Sequence, residues 1–299
     1  MLTVAAMSLP EVLLGNSEPF LAADSHSAFK GPYLTDTYIH LLEYPFRKLK
    51  YGESNSLVEK LKKHKVSQAW AGSFEALFHK NIDGVNVRLS EECKKYKNAM
   101  LLPFGTVNIA WDDWEEDLRR CHEVYQMPGI RIYPIYQTFD FEHRDFLKLL
   151  SEISRRKMIL QVVGDIDDIR QIHPIVNVRG VNFEPLVDAM KKVPDARVQL
   201  VYWNNRVGGK LLDRFINETS AVLDISRIET NGGVSRLIDG QPWSGSANKV
   251  PVDRLLFGSH APYFPVETNL LKLFESDLSV DQLQAIMNGN ANKFLNYSV

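Results

Sequence analysis

Short apolar runs separated by amphipathic stretches recur eight times along this chain, and their even spacing limits the folds open to it. The runs lie at 35–40, 67–72, 99–107, 130–133, 158–163, 197–203, 221–225 and 254–258. Their starts fall about 23 to 40 residues apart, the length of one strand-plus-helix unit. Strands alternating with helices form parallel sheets, and eight such units argue for a closed (β/α)8 TIM barrel over an open doubly wound sheet. A chain of 299 residues, 44% of them hydrophobic, suffices for one barrel with a large core. Residues 1–33 lack periodicity and contain Pro10, Gly15, Pro19 and Gly31-Pro32, so they read as an N-terminal arm ahead of a single barrel domain at 34–299.

Charge and cysteine usage narrow the setting. A net charge of -2 provides no basic field for nucleic acid. No apolar run approaches the roughly 18 residues of a membrane span. The apolar start Met1–Met7 has no Lys or Arg before it and meets Glu11 soon after, which argues against a signal peptide. Cys93 and Cys121 fall on expected helices without a CxxC pattern, which suggests reduced thiols and a cytoplasmic protein. A homo-oligomer is left open.

Two helix starts carry capping signals. Asp112 followed by Glu115 reads as a capping box before Trp114–Cys121, and Ser279 followed by Gln282 reads as a second, with Gly289 as the expected stop.

The chemistry-bearing residues cluster at strand ends. His40, His173 and His260 each fall at or just beyond the C-terminal end of an expected strand, the barrel face where active sites are built. Three imidazoles suit zinc if their loops converge, so a single divalent ion on His40, His173 and His260 is one reading; no cofactor is otherwise expected. The metal-free reading uses His260 as general base, since imidazole titrates near neutrality. His173 would be oriented by Asp168, with Arg170 stabilising oxyanion charge. Arg131, inside the fourth strand, would grip a substrate carboxylate through its planar fork. Glu75, in an apolar stretch, needs a partner if buried, and Arg47 is a candidate. Asp224 and Glu229 are acids at the same mouth. Tyr133, Tyr136, Phe139, Trp203, Trp243, Tyr263 and Phe264 would supply apolar walls. The turns at Gly208-Gly209 and Gly232-Gly233 read as ordinary loops.

Several stretches resemble the amidohydrolase-related family of TIM barrels over about 34–296. The tail Gly258-Ser259-His260-Ala261-Pro262 is similar to that family's Gly-Thr/Ser-Asp-x-Pro, and Asn290–Leu295 to its closing helix. Asp36-Thr-Tyr-Ile-His40, Ala69–His79, Pro128–Pro134 and Asp167–Pro174 resemble segments of one uncharacterised branch. The resemblance implies a metal-dependent-hydrolase-like barrel. Metal-binding relatives carry His-x-His on the first strand, His on the fifth and sixth, and Asp on the eighth. This chain has Tyr38-x-His40, no fifth-strand histidine, Asn204 after the sixth strand and His260 in place of the Asp. The resemblance and the altered motif together imply a hydrolase acting without the standard metal on an ester, lactone or amide of a small anionic molecule, with Arg131, Tyr133, Glu75, Asn204 and Asp224 as its expected substrate contacts. The alternatives are a catalytically inactive barrel serving as a binding or scaffold protein, and a metal-dependent decarboxylase-like enzyme.

Overall fold

Eight parallel strands follow one another around a single sheet in chain order. They are β1 (Leu34–Leu41), β2 (Val66–Ser73), β3 (Leu101–Gly105), β4 (Gly129–Ile132), β5 (Ile159–Val163), β6 (Arg197–Val201), β7 (Val222–Asp224) and β8 (Leu255–Leu256). The computed structural model describes residues 34–96, 100–168, 172, 173, 176, 180–240 and 249–296. The expected N-terminal arm, Arg170 and Trp243 lie outside the described residues. The barrel closes where the chain beyond β8 meets β1: Thr37 N–H donates to the Phe257 carbonyl at 2.9 Å, His40 N–H to the Ala261 carbonyl at 2.8 Å, and His260 N–H to the Tyr38 carbonyl at 2.7 Å. A (β/α)8 barrel is therefore the fold, as the recurrence of apolar runs implies.

Between and after the strands run α1 (Ser54–Lys63), α2 (Ile82–Lys94), α3 (Trp114–Glu123), α4 (Phe146–Arg155), α5 (Glu184–Lys192), α6 (Gly209–Glu218), α7 (Gly233–Asp239), α8 (Val266–Glu275), α9 (Val280–Gln284) and α10 (Asn290–Leu295). Their spacing of apolar residues explains why they pack outside the sheet. In α4, Phe146, Leu149, Leu150 and Ile153 are buried on one stripe, at i, i+3, i+4 and i+7. Burying four such side chains contributes about 6–12 kcal/mol before chain entropy is subtracted. Among the described residues no helix is long and apolar enough to cross a membrane.

Two local expectations need correction. α3 begins at Trp114, so its N-cap is Asp113 and not Asp112, and no side chain caps it. Asp112 stands one residue too early, although Glu115, Glu116 and Asp117 still place negative charge in the first turn. Gly289 does not stop a helix. The chain passes from α9 through a π-helical turn, Ala285–Gly289, into α10, and Gly289 keeps an ordinary helical φ of -56°. The Ser279 box is present: Gln282 N–H donates to Ser279 Oγ at 3.2 Å and Ser279 N–H donates to Gln282 Oε1 at 2.8 Å.

Candidate active site at the barrel mouth

A polar layer crosses the barrel interior beneath the mouth. Arg131, Gln161 and Gln199 face one another in register on β4, β5 and β6, and all three are fully buried. Arg131 Nε donates to Gln161 Oε1 at 2.7 Å, and Gln161 Nε2 donates to Gln199 Oε1 and to the Thr37 carbonyl, each at 2.7 Å. Gln199 Nε2 then donates to Thr37 Oγ1 at 2.8 Å. The guanidinium continues across the barrel, with Nη1 donating to the Ile39 carbonyl at 2.7 Å and Nη2 to the Trp70 carbonyl at 3.0 Å. The register of β1 against β2 slips between Asp36 and Ile39. Adjacent residues that a regular strand sends to opposite faces thereby both reach inside: Thr37 joins the polar layer while Tyr38 lies under the guanidinium, 4.8 Å from Cζ to ring centroid.

Above this layer the mouth holds a knot of rings. His260 stacks on Tyr38 with centroids 4.7 Å apart and planes 5° apart, and it meets His40 edge-on at 5.1 Å. His40 stacks on Phe74 at 4.5 Å, and Tyr263 stacks on His260 at 5.1 Å. Tyr202 lies 5.0 Å from His260. His260 has φ 59°, a left-handed conformation costly for a residue with a Cβ. Its backbone is held there by its N–H bond to Tyr38 and by its carbonyl, which accepts from Tyr263 and Phe264 N–H at 3.0 and 3.1 Å.

Both imidazoles are neutral in this setting. His260 Nε2 lies 2.8 Å from the Ile166 carbonyl, which can only accept, so Nε2 carries the proton and Nδ1 presents a bare lone pair. Nδ1 of His260 is buried with no protein partner, and so is Nδ1 of His40. Burial holds His260 down to about 3; the Ile166 bond opposes this and the Arg131 charge adds to it. Burial and then Arg131 hold His40 well below the ordinary imidazole value. His40 Nε2 lies 3.4 Å from the Tyr133 hydroxyl. The hydroxyls of Tyr38 and Tyr202 are also buried without a partner.

Two buried carboxyls flank the knot. Asp224, at the end of β7, is pushed up to about 7, mainly by burial, while its Oδ1 accepts from Tyr202 N–H at 3.0 Å. Asp36 is raised by burial to about 6, opposed by Ser259 N–H at 2.9 Å and Tyr38 N–H at 3.2 Å. Behind β7, Lys272 of α8 donates to the Ile225 and Ser226 carbonyls at 2.8 and 3.2 Å, and burial lowers it to about 7.

The structure brings His40, Tyr133, Arg131, Asp224 and His260 to one end of the barrel, but it separates the other candidates. His173 is exposed and stacks on Phe46 at 4.7 Å, so the trio His40, His173, His260 does not converge. Among the described residues no group of three or more His, Cys, Asp or Glu side chains is placed to hold a metal ion. Two imidazoles, one of them bonded through Nε2 to a carbonyl, above a fixed guanidinium do not fit a divalent ion. Arg131 does not present a free fork to a carboxylate either, because three of its nitrogens are committed to Gln161, Ile39 and Trp70. Glu75 pairs with Arg88 of α2, Nη2 to Oε2 at 2.6 Å, rather than with the expected Arg47; its own short 3-10 turn at Phe74–Leu77 faces it toward that helix. Asp168 lies 3.4 Å from Arg227 Nη2, and Asn204 Nδ2 donates to the Arg227 carbonyl at 2.6 Å. Glu229 also pairs with Arg227, at the rim.

Asp36, Tyr38, Gln161 and Gln199 were not singled out from the sequence as site residues. A signal was present for two of them: Ile-Leu-Gln-Val-Val and Arg-Val-Gln-Leu-Val each place one amide in the middle of an apolar run, where only a hydrogen-bonded interior tolerates it.

No protein-family model matches the chain, and no curated protein sequence matches it. Its fold is similar to that of solved structures. A protein provisionally described as an amidohydrolase from Staphylococcus aureus aligns with a TM-score of 0.65 at 12% identity, over 88% of this chain and 99% of that one. The 2,6-dihydroxybenzoate decarboxylase from Rhizobium aligns with 0.65 at 14% identity, over 89% and 99%. A dihydroxybenzoic acid decarboxylase from Polaromonas sp. JS666, with bound manganese and 2-nitroresorcinol, aligns with 0.65 at 13% identity, over 88% and 96%. The chain has the barrel fold that these amidohydrolase and decarboxylase structures share.

Proposed function

We propose that this chain is a member of the amidohydrolase-related superfamily that hydrolyses an ester, lactone or amide bond of a small anionic molecule at the β1–β8 mouth without a divalent metal. The observation that carries the reading is the His260 imidazole, whose Nε2–H is fixed on the Ile166 carbonyl while Nδ1, buried among the rings of the mouth, keeps a lone pair that no protein donor uses. That is a base with its orienting partner in place. A base held at about 3 is weak, and weak bases transfer protons poorly near neutrality. An anionic substrate beside the ring offsets the Arg131 field and raises the imidazole toward its working range. In this reading the substrate prepares its own base, and Arg131 positions the ring cluster electrostatically without touching the substrate. Tyr38 and Tyr202 supply hydroxyl donors for developing oxyanion charge. The free, buried thiols of Cys93 and Cys121 support a cytoplasmic setting.

A second reading is favoured by a specific observation: the neighbours named above include decarboxylases of dihydroxybenzoates. A third, a barrel that binds without catalysis, is favoured by the full burial and mutual stacking of Tyr38, His40 and His260. One experiment separates the three. Purified protein is screened against lactones, aryl esters, amides and hydroxybenzoates with and without chelator, following acid release and CO2 release. Chelator-insensitive hydrolysis that falls at least 100-fold in His260→Ala supports the proposal. CO2 release supports the decarboxylase. Turnover unchanged in His260→Ala removes that residue from the mechanism, and binding of the same compounds with no turnover supports the third reading.

A further inference from the structure

Beside the ring knot the molecule holds a cavity of about 380 Å³. Lys48, Lys50 and Tyr51, from the segment after β1, line it together with Lys60 of α1 and with Tyr263 and Phe264, from the segment between β8 and α8. The wall contributed by Tyr263 is the same ring that stacks on His260 at 5.1 Å, so the cavity lies one side chain away from the mouth.

The charge of this cavity is one-sided. Three lysines line it against a single carboxylate, Glu267. Glu267 is already engaged, by Lys60 and by His64 Nε2 at 3.1 Å. Among the described residues neither Lys48 nor Lys50 has a carboxylate partner, and both are exposed. Lys50 and Lys60 lie 5.5 and 5.2 Å from the Tyr51 ring centroid, so the two ammonium groups are gathered around one aromatic wall. The remaining walls include Leu49, Pro262 and Val266. A basic rim over apolar and aromatic walls matches a ligand with a flat hydrocarbon body and one anionic end.

We propose that this cavity binds the anionic end of a small planar carboxylate, an aryl carboxylate in the simplest case, with its head at Lys48 and Lys50 and its ring against Tyr51 and Phe264. The inference rests on the reading that the mouth handles a small anionic molecule, and it assigns that anion a receptor outside the barrel axis. Two ammonium groups recognise charge, and the aromatic walls recognise flatness. Bare phosphate, which meets only the first requirement, binds less well here than benzoate.

The test is calorimetric titration of the full chain with benzoate, cyclohexanecarboxylate and inorganic phosphate. Benzoate binds in preference to both, and the double variant Lys48→Ala/Lys50→Ala weakens it about five- to tenfold while the far-UV spectrum is unchanged. Tyr51→Leu removes the preference of benzoate over cyclohexanecarboxylate. No binding of benzoate to the parent protein, equal binding of phosphate, or equal benzoate affinity in the lysine variant would each overturn the proposal. Failure of the hydrolase reading has a different signature: no turnover anywhere, with the lysine dependence of benzoate binding intact. Where turnover is found, an unchanged KM in the lysine variant overturns the cavity and leaves the hydrolase standing.

Discussion

Gly72 offers the smallest perturbation that tests the polar layer. It lies near the end of β2, where an added Cβ would meet Arg131 Nη1 at 2.4 Å, Cζ at 2.9 Å and Cδ at 3.0 Å. The guanidinium has nowhere to yield without loss, because Nε, Nη1 and Nη2 are bonded to groups on three other positions of the barrel. Restoring an ordinary contact moves it by about an ångström, which breaks the bond from Nη1 to the Ile39 carbonyl and lengthens the one to Trp70. A hydrogen bond from a charged group contributes about 1.5–3 kcal/mol. Alanine recovers about 0.5 kcal/mol over glycine within a strand. Gly72→Ala should therefore lose about 2–4 kcal/mol, measured by urea unfolding followed through tryptophan fluorescence. In an Arg131→Met background the same methyl should cost under about 1 kcal/mol, a coupling of about 2 kcal/mol between the sites. Equal costs in the two backgrounds, or a Gly72→Ala protein as stable as its parent, would refute the view that Arg131 is pinned.

Two further predictions concern stability. Burial raises the Asp224 carboxyl to about 7, so the folded protein binds a proton that the unfolded chain releases near 4; this group's contribution to stability then falls as pH rises from about 4 to about 7 and is level above that. Asp224→Asn should flatten this limb in unfolding curves taken across the range, and an unchanged slope would show that Asp224 is ionised in the fold. Ser279→Ala removes the acceptor of the Gln282 N–H and should cost about 1 kcal/mol, whereas Ser279→Gly should cost only a few tenths; equal losses would point to packing rather than capping.

The barrel was legible because period is a property of sequence. Apolar runs such as Met-Ile-Leu-Gln-Val-Val recur whatever the register, and β5 falls at Ile159–Val163 as that run implies. Cap positions were less legible, since Asp112 and Asp113 look alike until the first helical residue is fixed at Trp114. The site was half legible. His40 and His260 meet at the mouth because both end strands, and strand ends share a rim. His173 was misplaced because a loop's length bounds its reach but not its direction, and the ring lies on Phe46 instead. Arg131 looks like a free fork in sequence, which shows a charge without showing the carbonyls across the barrel that consume it. The bulge in β1 that admits both Thr37 and Tyr38 to the interior has no sequence marker at all.

A cation built into the protein changes what the mouth can attract. A divalent ion held near His40 or His260 would be repelled by the Arg131 guanidinium, whose charge already disfavours the protonated form of both rings. Catalytic zinc sites meet such costs with three ligands, and among the described residues no group of three candidate ligands gathers here. A monoanion in the same place is attracted by the same field. Its charge also opposes the two influences that keep His260 neutral, burial and Arg131, and so brings the imidazole closer to accepting a proton. With the outer cavity weakened by Lys48→Ala/Lys50→Ala, substitution of Arg131 by Met should therefore act in opposite senses on the two ligand classes at the mouth, weakening the remaining benzoate binding and strengthening manganese in parallel titrations. If both change in the same direction, the arginine acts on the mouth through its hydrogen bonds alone and not through its charge.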